Sequence, residues 1–296
     1  MSGIDSIGEV RPATALIDAH VHIHDFFVGE PFFDAAAANF GRAKDDLRAS
    51  GDVYGFLLLS ESAGVDRFAA LAQGQLRTGS WQISHTEEAV SLVATRPGVL
   101  PMFVIAGCQI ATAERLELLA LGTRERPPDG APLRTTLAAL AKTDALAVLP
   151  WGFGKWMGRR GRHVAELFDE RAAAPLYAGD NGGRPQGFGR PKLLAFAEAH
   201  GKLVLPGTDP LPFPGEIMKP GRYGCVADLE LDRARPFASL RRWLERQGRS
   251  PRRYGRLERP WTFLDRQMCL HWRNLTNRRK AQGVVAGREI AADPEG

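Results

Sequence analysis

The sequence predicts an α/β protein built on parallel strands, and three observations carry that reading. Short apolar runs alternate with amphipathic stretches at least six times along the chain. The runs are continuously aliphatic rather than alternating, as in strands covered on both faces. Polar, chemistry-bearing residues stand directly after several of them, where parallel βα folds collect their ligands.

The runs lie at 15–19, 53–60, 99–106, 145–149, 175–178 and 202–205, and 81–84 adds a short strand. Helical patterns fall at 66–75, 86–94, 135–141, 162–173 and 192–199. The last is bracketed by Pro191 before its start and Gly201 past its end, the punctuation expected of a helix. The stretch 127–132 (PPDGAP) reads as a surface loop. No internal repeat is present, and no linker forces a domain boundary.

Composition narrows the class. The 296 residues are 44% hydrophobic and 25% charged, which excludes a disordered chain, a collagen-like fibre and a coiled coil. Cys108, Cys225 and Cys269 are odd in number and far apart. They form neither a disulfide framework nor a thiolate zinc site, so a reducing, cytoplasmic location is expected. The first residues include Asp5 and Glu9 and no apolar core of a signal peptide. No run reaches about 18 apolar residues, so no membrane association is expected.

The net charge of +5 is unevenly spread. Between 231 and 280 stand 15 Lys or Arg against 4 acids, a local +11, which leaves −6 for the rest. Trp243, Tyr254, Trp261 and Trp272 are interleaved with Arg241, Arg242, Arg252, Arg253, Arg256, Arg259, Arg278, Arg279 and Lys280. No nucleic-acid motif accompanies them, so the segment reads as a solvated helical face rather than a nucleic-acid surface.

The first run ends in Asp18-Ala19-His20-Val21-His22-Ile23-His24-Asp25. On a strand, His20, His22 and His24 share one side, and two such imidazoles can ligate one divalent metal. The sixth run ends in Pro206-Gly207-Thr208-Asp209-Pro210, bringing Asp209 to the same end of the sheet. The fifth ends in Asp180 within a glycine-rich loop that continues to Arg184. The fourth leads into Trp151–Gly161, where Lys155, Arg159 and Arg160 stand among four glycines suited to approach an anion. Glu61, after the second run, reads as a surface carboxylate, and Cys108 as a buried thiol.

An early L-I-D-A-H-x-H followed by a late G-T-D-P resembles the amidohydrolase superfamily, and is similar to the related polymerase-and-histidinol-phosphatase (PHP) family. The matching order covers roughly residues 15 to 215. The resemblance implies a distorted (β/α) TIM-like barrel of seven or eight parallel strands over residues 1–230. A basic helical segment at 231–280 would pack on it, and a flexible tail would follow at 281–296. It implies one or two divalent ions, Zn or Mn, held by His20, His22 and Asp209, with Asp180 or His85 completing the site and Asp209 as general base. The family's two further histidines have no counterpart here; Lys155 and Asp180 stand in those regions. The function implied is a metal-dependent hydrolase acting on an amide, ester or related bond in a small anionic substrate. Lys155, Arg159, Arg184 and His24 would bind that substrate. A PHP-like phosphoesterase and a non-catalytic barrel that binds a ligand or partner are the alternatives, and a homo-oligomer is left open.

Overall fold

A computed structural model describes residues 10–27, 29–170, 175–270 and 272. Their contacts group them into two units, one drawn from 1–183 and 190–256, the other from 184–189 and 257–296.

The first unit contains β1 (Val10–Val21), α1 (Glu30–Leu47), β2 (Val53–Leu59), α2 (Arg67–Ala72), β3 (Gln82–His85), β4 (Ser91–Thr95), β5 (Met102–Ile105), β6 (Gly107–Ala111) and β7 (Glu117–Leu121). It continues with α3 (Leu133–Leu140), β8 (Leu146–Pro150), α4 (Gly158–Asp169), β9 (Leu176–Asn181), α5 (Lys192–Ala199), β10 (Val204–Gly207), β11 (Tyr223–Asp232), α6 (Pro236–Glu245) and β12 (Arg253–Gly255). The strands form two sheets, β12-β11-β1-β2-β5-β4-β3 and β10-β9-β8-β7-β6.

The expected TIM-like barrel of parallel strands is therefore wrong. Only β1/β2, β2/β5, β8/β9 and β9/β10 pair in parallel among the described strands. The others, including the β6/β7 hairpin and the β3/β4/β5 meander, are antiparallel. Short connections join β3 to β4, β4 to β5 and β6 to β7, which antiparallel pairing permits, whereas β7 and β8 pair antiparallel with α3 between them. The segment expected to be helical at 86–94 instead turns and enters β4. Thr86 Oγ1 takes up the carbonyls of Glu88 (3.3 Å) and Ser91 (3.1 Å) in that turn.

The apolar run at 99–106 is one strand only as far as Ile105. At Gly107 the chain passes from one sheet to the other. A Cβ there would lie 2.4 Å from the Leu59 carbonyl and 2.8 Å from that of Ala120, so only glycine fits the crossing. Glu61 N then donates to Gly107 O (3.1 Å) and Gln109 N to Glu61 O (2.9 Å), joining the end of β2 to β6.

Strand periodicity divides the apolar residues into layers. Leu16, Leu57, Leu59 and Val104 pack with Phe33 and Phe40 of α1 on one face of the larger sheet. Ile17, Phe56, Leu58 and Ile105 face Leu121, Val148 and Leu205 of the smaller sheet. Ile110, Leu118 and Leu149 face Val164 of α4 and Leu194 of α5. The unit is thus layered helix, sheet, sheet, helix. Burying each large side chain contributes roughly 1.5–3 kcal/mol.

The expected boundary at 230 is not where the units part. Residues 231–256 complete β11 and supply α6 and β12 of the first unit. The second unit holds a helix at 260–270, and pairs its two segments through Glu258 N to Arg184 O (3.0 Å) and Gln186 N to Glu258 O (2.8 Å). Asp5, Glu9, His271, Arg278, Arg279, Lys280 and the tail at 281–296 lie outside the described residues. Among the described residues, no helix is long and apolar enough to cross a membrane.

Candidate metal centre

The site is built where β1 and β10 end side by side. Asp18 sets that approach. Its buried carboxylate accepts from Thr208 N (2.8 Å), Thr208 Oγ1 (2.6 Å), Gly221 N (2.9 Å) and His20 N (3.3 Å). Burial still wins over these donors and pushes its pKa up to about 7. Gly207 permits the close contact, because a Cβ there would lie 2.4 Å from His20 N. Asp209 N then donates to His20 O at 2.8 Å.

The pairing of β1 with β2 shifts register between Asp18 and Val21. Past this irregularity His20 and His22 turn toward each other, with their Nε2 atoms 3.1 Å apart. Asp209 adopts a left-handed conformation (φ 47°), which aspartate tolerates better than most residues. Its Oδ1 lies 3.5 Å from each Nε2. Asn181, at the end of β9, donates through Nδ2 to Asp209 Oδ2, while its own Oδ1 accepts from Gly183 N (2.7 Å). The amide thereby fixes which carboxylate oxygen faces the histidines. Gln109 of β6 bonds the His20 ring.

His20, His22 and Asp209 can hold a metal ion. Tetrahedral ligands about 2.1 Å from an ion stand about 3.4 Å apart, close to the three separations here. Electrostatics agree with the geometry. Burial lowers the His20 pKa, a shift toward the neutral ring that a metal ligand must be. Burial alone would raise Asp209, but the facing His20 and His22, with Lys155 beyond, hold its carboxyl well below the usual range.

Polar residues crown the core between the sheets. Leu119 and Leu121 face that core, so Glu117 continues their face at the strand end. Glu117 pairs with Lys155, and the two charges act on His20 and Asp209 respectively. Gly152 gives the Lys155 stem its room, since a Cβ there would lie 2.7 Å from Lys155 Cδ.

The other expected residues are placed differently. Asp180 points away from the group and takes Tyr223 OH (2.8 Å) and Arg253 Nη1 (3.3 Å). Its neighbour Asn181 reaches Asp209 instead, a residue the sequence reading passed over. His24 does not share a strand face with His20, because β1 ends at Val21. It stacks on His22 at 5.6 Å and sets Nε2 2.9 Å from Pro210 O. Arg159 is exposed in the first turn of α4, and Arg160 donates to Gly154 O (2.9 Å). Arg184 belongs to the second unit, where Nη1 donates to Gly189 O (2.7 Å). His85 lies on β3, an edge strand outside the group, with Nε2 3.1 Å from Ala72 O. Cys108 is the buried thiol expected, its pKa raised by burial.

Glu61 is not a surface carboxylate. It is 8% exposed, and its Oε1 accepts from Phe68 N at 2.9 Å at the start of α2. Burial pushes its pKa up to about 7.

No known family and no curated protein matches the chain. Among solved structures, the crystal structure of PsfC from Pseudomonas syringae PB-5123 is similar, with a TM-score of 0.49 and 14% identity over 74% of this chain and 84% of that one.

Proposed function

We propose that this protein is a metal-dependent hydrolase. Its chemistry would be of the kind found in the amidohydrolase superfamily, carried on a two-sheet scaffold. The observation that supports this best is the convergence of His20 Nε2, His22 Nε2 and Asp209 Oδ1 within 3.1–3.5 Å of one another. These residues would hold one divalent ion, Zn2+ or Mn2+. Such an ion, when bound, supplies the Lewis acidity that makes water a nucleophile near neutral pH.

The chain's own groups divide the remaining work. His20 and His22 offer their Nε2 atoms, and Asp209 offers Oδ1. Asp209 Oδ2 keeps a lone pair beside its bond to Asn181 and accepts the proton of the attacking water. The same oxygen returns that proton to the leaving group. Gln109 and Asn181 orient a ligand each. Lys155 binds an anionic group of a small substrate by exchanging Glu117 for it. Arg159, exposed in the first turn of α4 beyond the Lys155 loop, would add a second cation.

The test is a hydrolysis screen of esters, amides and phosphate esters with the Zn2+- or Mn2+-loaded protein, beside Asp209→Asn. Turnover of a carboxylate-bearing ester or amide, lost in the variant, is the expected result. Turnover confined to phosphate esters would favour the PHP-like alternative. A metal-loaded, folded protein that hydrolyses none of them would overturn the hydrolase reading.

A further inference from the structure

The helix at 260–270 in the second unit carries an apolar line that the proposed chemistry does not use. Trp261 is 82% exposed, Leu264 50%, Met268 61% and the helical Trp272 69%. Spacings of three, four and four residues put them on one helix face. At the α-helical rise the line runs about 16 Å. Exposed apolar residues scattered singly need no explanation, but four in register on one helix mark an interaction face.

The surrounding sequence is cationic. Between 256 and 280 seven Lys or Arg stand against two acids, a net charge of +5. Arg256 and Arg259 precede the line, and Arg273, Arg278, Arg279 and Lys280 follow it. Asp265, one of the two acids, is paired with Arg266 at 2.9 Å.

Charge decides what covers this face. A second copy would set like charge against like charge. A neutral apolar partner would leave the flanking cations without counter-charge. An anionic lipid surface suits both features, because tryptophan rings settle at the headgroup level and Lys or Arg pair with acidic headgroups. We propose that the face formed by Trp261, Leu264, Met268 and Trp272 docks this protein on an anionic membrane surface, lying in the interface without crossing the bilayer. Among the described residues no helix is long and apolar enough to cross a membrane, and docking in the interface needs none.

The experiment is sedimentation of the full-length protein with phosphatidylcholine vesicles, with and without about 30% phosphatidylserine. Binding is expected to the anionic vesicles, roughly tenfold tighter than to the neutral ones, and to weaken with salt. Met268→Asp and Trp261→Ser alter exposed side chains, so each should keep the thermal midpoint and lose roughly tenfold in lipid binding. Equal binding to both vesicle types, or variants that bind like the wild type, would overturn the assignment. Concentration-dependent dimerisation abolished by Met268→Asp would assign the face to a second copy and overturn it too. Salt-sensitive binding to single-stranded RNA without lipid binding would do the same.

Discussion

Glu61→Gln should change how stability depends on pH, and the size follows from burial. The carboxyl is 8% exposed and its pKa is raised from 4.5 to about 7. A shift of about 2.5 units corresponds to about 3 kcal/mol. Because the folded pKa is the higher one, the folded state holds this proton more tightly than the unfolded chain. The contribution is full below about pH 4.5 and is lost as pH rises through about 7. Glutamine keeps an oxygen to accept from Phe68 N and has no proton to lose. The variant should therefore gain on the wild type by about 3 kcal/mol between pH 4.5 and 8. Asp18 is also raised to about 7, but it is present in both proteins and cancels in the difference. Urea unfolding at several pH values measures this difference. A difference that stays flat within about 0.5 kcal/mol would refute the burial argument.

Three further perturbations probe the site. Gly207→Ala puts a Cβ 2.4 Å from His20 N, so it should destabilise the fold by more than about 2 kcal/mol in denaturant and weaken metal binding together. Asn181→Ala removes the donor to Asp209 Oδ2; a metal titration should show affinity falling about 10–100-fold with the thermal midpoint nearly unchanged. Lys155→Met keeps most of the stem over Gly152 and removes the charge, so KM for an anionic substrate should rise several-fold while kcat changes less.

The parts of the fold that end in local motifs were legible in the sequence. The six apolar runs are β1, β2, β5, β8, β9 and β10, and α5 has the bounds that Pro191 and Gly201 suggest. The antiparallel strands were not legible for physical reasons. β6 and β7 follow a run that looks like one strand, and only the close approach at Gly107 shows where it breaks. In β11, Asp228 and Glu230 are exposed while Leu229 and Leu231 are buried. That period-two pattern is readable, but it adjoins a segment whose charge draws the eye first. α1 was missed although Pro31 and its alanines favour a helix start and interior. At the site, His20, His22 and Asp209 were legible because His20 stands at the end of β1 and the other two stand just past the ends of β1 and β10. Asn181 was not, because choosing it over Asp180 requires knowing which face of β9 is inward. Glu61 was misread because nothing local says that α2 will close over it.

The most direct test of the central claim is titration of metal-free protein with Zn2+ and with Mn2+, read by calorimetry and by elemental analysis after dialysis. One ion per chain should be retained by the wild type, and none by the folded His20→Ala/His22→Ala variant. Equal metal content in the two proteins, or none in either after loading, would contradict the metal centre and the chemistry built on it.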